Sequence, residues 1–368
     1  MAESKTFDPG RRRALGLAGA AVGTVVTAGL SRPAIASERV EWRMVTSWPK
    51  NLPGPGMSAA RIAERVAAMS EGRFTIHVHA AGELVPALEV FDAVEGGVAE
   101  MAHTASLFWQ GKMRASALFT AGPFGLTPLE HIAWIEHGGG QALWEKLYAP
   151  SGILPLMAGN TGFQMGGWYS RAIDTLDDIK GLKIRMPGLG GEVMRRLGAT
   201  PVSLPPGEIF SALQSGLIDA AEFLGPWSDR SLGFYKVTKF YYAPGFHEPN
   251  GTGEALISRA AFQALPADLR AILKHACAAE NIFALAEAEW QNAESLRLLR
   301  EEDGVDVRLF PSAVLAEMKT TADAVLADLA ARDELTGEIV GSFVAARNRQ
   351  APWSRISQAS FLAARDRG

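Results

Sequence analysis

The chain has 368 residues, 48% of them hydrophobic and 21% charged, an ordinary globular composition that argues against disorder and suits two lobes better than one. With 36 basic against 40 acidic residues the formal net charge is −4, which leaves no basic excess for nucleic acid. Cys277 is the only cysteine, so disulfides, thiolate metal sites, iron–sulfur clusters and c-type haem attachment are excluded, and the fold must stand on its apolar core.

Arg11-Arg12-Arg13 precedes a Gly/Ala-rich apolar run from Ala14 to Leu30 and then Ala34-Ile35-Ala36. This pattern predicts a signal peptide of twin-arginine type over 1–36, cleaved after Ala36, with the mature protein exported to the periplasm. An uncleaved anchor is the alternative. Removal of 1–36 takes away five basic and two acidic residues and leaves 31 against 38, a net charge of −7.

From Val40 to Val45 the chain is apolar enough for a strand. Trp48-Pro49 and a Pro/Gly-rich loop lead to a helix over about Met57 to Met69, and Phe74 to His79 alternates as a second strand, giving a β-α-β opening. His77 and His79 share one face of that strand, either as an exposed pair or as metal ligands. A helix, a glycine stop and a short strand follow between Val90 and His103, and the same sequence of features recurs 119 residues later, with Ala93–Glu100 aligning on Ala212–Asp219. This echo predicts two similar lobes, each presenting a strand end to a common cleft, and it pairs His103 with Glu222 as candidate cleft-wall residues. Phe108 and Trp109 are aromatic candidates for the same wall, or simply core.

His131 to Leu147 reads as one amphipathic helix bearing Trp134 and Trp144. An apolar strand, Ile153 to Gly159, leads into Asn160-Thr161-Gly162, where the chain is expected to cross between lobes; a return crossing is expected near Gly251, followed by the strand Glu254 to Ser258. Within the second lobe, GLKIRMPG (Gly181 to Gly188) has the period-2 pattern of a half-buried strand that ends at Arg185. A strand-end arginine is either a solvated charge or a planar fork for a carboxylate. Asp268 to Arg300 lacks a strong breaker and reads as a helix long enough to span both lobes. Beyond it lie a short strand, Val305 to Leu309, helices at about Ser312 to Arg332 and Asp333 to Arg349, and an amphipathic tail, Trp353 to Arg365. No G-x-S-x-G, H-E-x-x-H or phosphate-binding glycine motif is present, so an exported metal-dependent enzyme is the weaker class.

GLKIRMPG, PPGEIFSALQSGLIDAAEF and the layout from Val40 onward resemble the substrate-binding receptors of TRAP transporters, the DctP family. NTGFQMGGW (Asn160 to Trp168), AAEFLGPWSD (Ala220 to Asp229) and YYAPGFHEP (Tyr241 to Pro249) are similar to the subgroup for 2-oxo acids and lactate. The resemblance implies a two-lobed α/β fold of periplasmic-binding-protein type with a hinge, a lobe-spanning helix and a helical C-terminal extension. Its boundaries fall at 37–161 with 251–290 for lobe I, 162–250 with 291–345 for lobe II, and 346–368 for an extension that mediates homodimers. It further implies a non-enzymatic receptor that delivers a small monocarboxylate to a TRAP membrane permease. The resemblance places substrate binding on Arg185, Gln164, Glu222 and Phe223; Asn160 at the crossing, His103 from the echo and Trp109 as a wall aromatic complete the substrate-binding candidates. Cation binding, with Na+ or Ca2+ as the suspected ion, falls on Gln164, Glu222, the Phe223 carbonyl and Glu248, an oxygen-rich set that suits a hard ion. Receptors for a sugar acid, sialic acid or a C4-dicarboxylate are the alternative, and a direct Arg185–Glu222 salt bridge is the plainer reading of those two residues.

Overall fold

The computed structural model describes residues 39–367, so the expected signal peptide at 1–36 lies outside the described residues. Among them are eleven strands: Val40–Thr46 (β1), Phe74–His79 (β2), Met101–Thr104 (β3), Ile153–Asn160 (β4), Gly167–Tyr169 (β5), Lys183–Arg185 (β6), Thr200–Val202 (β7), Ala220–Ala221 (β8), Phe240–Ala243 (β9), Thr252–Ser258 (β10) and Asp306–Leu309 (β11). They form two sheets, ordered β2-β1-β3-β10-β4 and β11-β9-β5-β8-β6-β7. In the first, β1 runs parallel to β2 and β3 while β10 runs antiparallel to β3 and β4. In the second, β6 is parallel to both β7 and β8.

The chain leaves the first sheet after Asn160 and re-enters it at Thr252, close to the two expected crossings. They lie side by side: the Thr161 N–H donates to the Gly251 carbonyl at 2.9 Å, and Asn160 Nδ2 donates to Asn250 Oδ1 at 2.8 Å. The expected long helix runs Ala267–Glu301, 35 residues and therefore about 52 Å. Its first half packs Leu269, Leu273, Ala276 and Cys277 on the first sheet, and Glu280 is fully buried there, paired with Arg61 and Arg65 of the helix Pro55–Met69. Farther along, Asn292 Oδ1 accepts from the Trp227 N–H at 2.9 Å in the second lobe. No helix of the described residues is long and apolar enough to cross a membrane.

The 119-residue echo is structural. Helices Val90–Glu95 and Ile209–Gln214 each end before a glycine of positive φ, Gly97 at 76° and Gly216 at 72°, and lead into β3 and β8. The single helix expected over His131 to Leu147 is instead two, Pro128–His137 and Gly140–Tyr148. Gly139 between them takes φ 85°, a conformation costly for any other residue. Trp134 and Trp144 belong to the core, both stacked on Phe119 with centroids 5.4 and 5.0 Å away.

Two expected cleft residues belong to the core as well. His103 is buried, its Nδ1 accepting from Trp48 Nε1 at 2.8 Å and its Nε2 lying 3.0 Å from the Ala158 carbonyl. Burial lowers its pKa, so it serves as a neutral strut of the first lobe. Trp109 is also buried and donates from Nε1 to Glu254 Oε1 at 2.6 Å. The other Glu254 oxygen is 3.2 Å from the Tyr148 hydroxyl, and no cation pairs with this carboxyl among the described residues.

Burial pushes the Glu254 pKa up to about 8 from its ordinary 4.5. Below pH 4.5 the group is protonated folded and unfolded alike; between 4.5 and 8 the unfolded chain gives up the proton and the folded chain keeps it, so this residue's contribution to stability falls as pH rises through that window. Glu254→Gln keeps an acceptor for Trp109 and removes the titration. Thermal melts from pH 5 to pH 8 are expected to show the variant gaining several degrees on the wild type as pH rises; a gap that stays constant with pH would refute this account.

Candidate ligand and cation site

Between the two sheets lies a cavity, with about 430 Å³ of empty space when the part open to solvent is counted. The first lobe lines it with Trp48, Leu107 and Phe108, and the second with Gln164, Arg185, Glu222, Phe223 and Glu248. Five of the eight residues expected at the site are thus brought together from separate segments. Asn160, His103 and Trp109 do not line this cavity: Asn160 is the crossing clasp, its Oδ1 accepting from the Gly162 N–H at 2.9 Å, and the other two support the first lobe.

Arg185 ends β6 as expected, but it is buried rather than solvated. Its Nε donates to the Leu204 carbonyl at 3.2 Å, and Nη1 donates to both the main-chain and side-chain oxygens of Glu222, each at 2.7 Å. Nη2 makes no hydrogen bond to the described residues, so one arm of the fork remains for a partner in the cavity. The direct ion pair is therefore real, and it occupies only part of the arginine.

Glu222 is held from its other side by a residue the sequence reading missed. His247 Nε2 lies 2.9 Å from Glu222 Oε2, with both groups buried. Burial alone would lower the His247 pKa, but the adjacent Glu222 carboxylate overrides it and the net direction is up. Glu248, the next residue, is pushed up to about 8 by burial and then by the Glu222 charge. The ligand atoms of Glu222, His247 and Glu248 all lie within 4.8 Å of one another.

Several oxygens here lack partners. Gln164 Nε2 donates to Thr161 Oγ1 at 2.9 Å, but its Oε1 is buried with no hydrogen bond. No hydrogen bond of the described residues ends on the Phe223 carbonyl. Each Glu222 oxygen accepts one bond and keeps a lone pair. An orphaned buried amide oxygen, a free carbonyl and two carboxylates fit a hard cation such as Na+ or Ca2+. Two glycines make the arrangement possible: a Cβ at Gly251 would stand 2.3 Å from Gln164 Nε2, and one at Gly190 would stand 2.5 Å from the His247 Cβ.

Comparison with known proteins identifies the family. Residues 46–333 match the profile of the DctP family, described as bacterial extracellular solute-binding protein, family 7. A monocarboxylate 2-oxoacid-binding periplasmic protein of Nostoc sp. (strain PCC 7120) is 41% identical over 322 residues, 88% of each chain. A TRAP periplasmic solute-binding protein from Pseudoalteromonas atlantica T6c, solved with bound sodium and pyruvate, is 36% identical with a TM-score of 0.86 over 88% of this chain and 99% of that one. Another from Bordetella bronchiseptica RB50, a mixed-occupancy dimer with copurified calcium and picolinate in the active site, is also 36% identical with a TM-score of 0.86, covering 88% of this chain and 96% of that one. On the family profile, which spans most of the described residues, and on a relative matched over nearly its whole length, the chain belongs to the DctP family of extracellular solute-binding proteins.

Proposed function

We propose that the protein is a periplasmic receptor of a TRAP transporter that binds a 2-oxo or 2-hydroxy monocarboxylate together with Na+ or Ca2+ and passes it to the membrane permease. The observation that carries this reading is the orphaned Gln164 Oε1 in a cavity also lined by Glu222, by Phe223 with its free carbonyl, and by Arg185 with one arm left open. A ligand carboxylate takes Arg185 Nη2. Its 2-oxygen and one carboxylate oxygen then complete the shell of a cation held by Gln164, Glu222, the Phe223 carbonyl and Glu248. The cation supplies the positive charge that lets an anion sit next to Glu222, and Arg185 fixes Glu222 while orienting the ligand. Arg185 is the one permanently charged cation among the described residues of the cavity wall, so a second ligand carboxylate has no counter-charge and the dicarboxylate alternative is disfavoured. The protein binds and releases without chemistry, its lobes, 37–161 with 251–290 and 162–250 with 291–345, closing about the paired crossings.

Exhaustive removal of Na+ and Ca2+ is expected to lower pyruvate affinity at least tenfold by calorimetry. Glu222→Ala should do the same, and Glu222→Gln should recover only part, since it keeps an oxygen and loses the charge. Metal-free wild-type protein that binds pyruvate as tightly as before would refute the cation. Arg185→Lys loses the fork at both Glu222 and the ligand, at about 2 to 5 kcal/mol, or roughly 30-fold or more in affinity. Because Arg185 is buried against Glu222, the melting temperature of the empty variant should fall as well. Affinity within threefold of wild type would count against the assigned role.

The tail supports a homodimer. The helix Glu334–Ser354 continues through a π turn to Arg365 and leaves Trp353, Ile356, Phe361 and Leu362 exposed. Light scattering is expected to show a dimer for the mature chain and a monomer once residues after Gln350 are deleted.

A further inference from the structure

The segment carrying two of the proposed cation donors has very little sheet to hold it. β8 is two residues long, and Glu222, Phe223 and Leu224 run on from its end as open chain before the helix Pro226–Ser231. A fully buried carboxylate pins this run. Asp229 Oδ1 accepts from the Leu224 backbone N–H at 3.1 Å, while Oδ2 accepts from Trp168 Nε1 at 3.0 Å and from the Tyr241 hydroxyl at 2.8 Å. The two rings stack on each other, centroids 4.0 Å apart, so the Oδ2 grip is rigid. Leu224 then transmits the hold, because its carbonyl accepts from the Met165 N–H at 3.1 Å, one residue beyond Gln164.

A single side chain therefore ties together the two backbone segments that carry the Phe223 carbonyl and the Gln164 amide. Its chemistry is unusual for a buried carboxylate, since all three donors are neutral and no cation pairs with it among the described residues. An amide of the same shape would satisfy both rings but would turn its NH2 against the Leu224 N–H, where a donor meets a donor. Burial raises the Asp229 pKa to about 6, and the nearby Glu222 charge acts in the same direction, so above that pH the acceptor-only form prevails.

We propose that Asp229 is the positioning residue of the cation site: through Leu224 it sets the distance between the Phe223 carbonyl and Gln164 Oε1, so that its loss weakens the cation and not the carboxylate grip. The inference rests on the reading that Gln164, Glu222 and Phe223 hold a cation. Asn292 provides the contrast, since it holds the same short helix through the Trp227 N–H and makes no hydrogen bond to Leu224.

The test is titration of NaCl, and separately CaCl2, into metal-stripped mature protein at fixed pyruvate, followed by tryptophan fluorescence. Asp229→Asn should raise the cation midpoint at least tenfold, while pyruvate affinity at saturating cation stays within threefold of wild type. Asn292→Ala should lower the melting temperature and leave the midpoint unmoved. Should Asp229→Asn fail to fold, Tyr241→Phe, which releases one of the two grips on Oδ2, is expected to move the midpoint two- to fivefold in the same direction. An unmoved midpoint in Asp229→Asn, or in Tyr241→Phe where that variant stands in, overturns the proposal; so does an equal shift in Asn292→Ala, which would make the role merely structural. A wild-type protein indifferent to both cations would overturn the functional reading itself, and this inference with it.

Discussion

The buried Glu222 carboxylate, gripped by Arg185 on one side and His247 on the other, is the constraint around which the second lobe is arranged. An ion pair this deep gains little net stability, because desolvation of both charges offsets most of their attraction, and removal of one partner leaves the other stranded. Geometry is what it secures. Arg185 reaches the main-chain oxygen of Glu222 as well as its carboxylate, so the ends of β6 and β8 are held at a set spacing with the side chains aimed into the cavity. His247 brings in a third segment, and Glu248 follows it to the cavity wall.

The opposite boundary of the site is the hinge. Asn160, Asn250, Thr252 and His131 form a buried polar chain in which Asn160 Nδ2 meets Asn250 Oδ1, Asn250 Nδ2 meets Thr252 Oγ1 at 3.0 Å, and Thr252 Oγ1 lies 3.0 Å from His131 Nδ1. Gln164 and Thr161 lie on the segment that joins β4 to β5 at the same crossing, so two lining residues are carried by the chain about which the lobes would turn. A ligand bound as proposed would bear directly on the crossing, with no long pathway between them. The long helix braces the arrangement: Glu289 Oε1 accepts from the Phe163 N–H at 3.2 Å and Asn292 holds Trp227, so both loops behind the site rest on one rigid element.

Much of the fold was legible because its signals are local. The alternation around Arg185, the breaker-free stretch before Gly304 and the repeated helix-glycine-strand unit each report a backbone periodicity. The last of these also shows where such reasoning ends. It paired His103, which lies within β3, with Glu222, which follows β8, yet a matching place in a repeated unit does not imply matching neighbours. In the first lobe Trp48 covers that strand end and takes the histidine into the core; in the second, Arg185 draws the corresponding glutamate toward the cavity. Trp109 strayed for a related reason, since Phe108 beside it faces the cavity while the indole turns back to Glu254.

Sequence alone determined the two lobes, the crossings and the long helix, since strand ends, glycine stops and breaker-free runs are written in order along the chain, while the gathering of Gln164, Arg185, Glu222, Phe223 and Glu248 was legible only through the family resemblance of the motifs that carry them. Tertiary structure alone decided which polar groups are satisfied and which are left open. His247 meets Glu222 across 25 residues, Asp229 meets Trp168 across 61, and Asn160 meets Asn250 across 90. No periodicity connects residues that far apart, because a hydrogen bond depends on where two segments come to rest in three dimensions. The same limit hid the unpartnered Gln164 Oε1, which is known only once the fold shows that no donor reaches it.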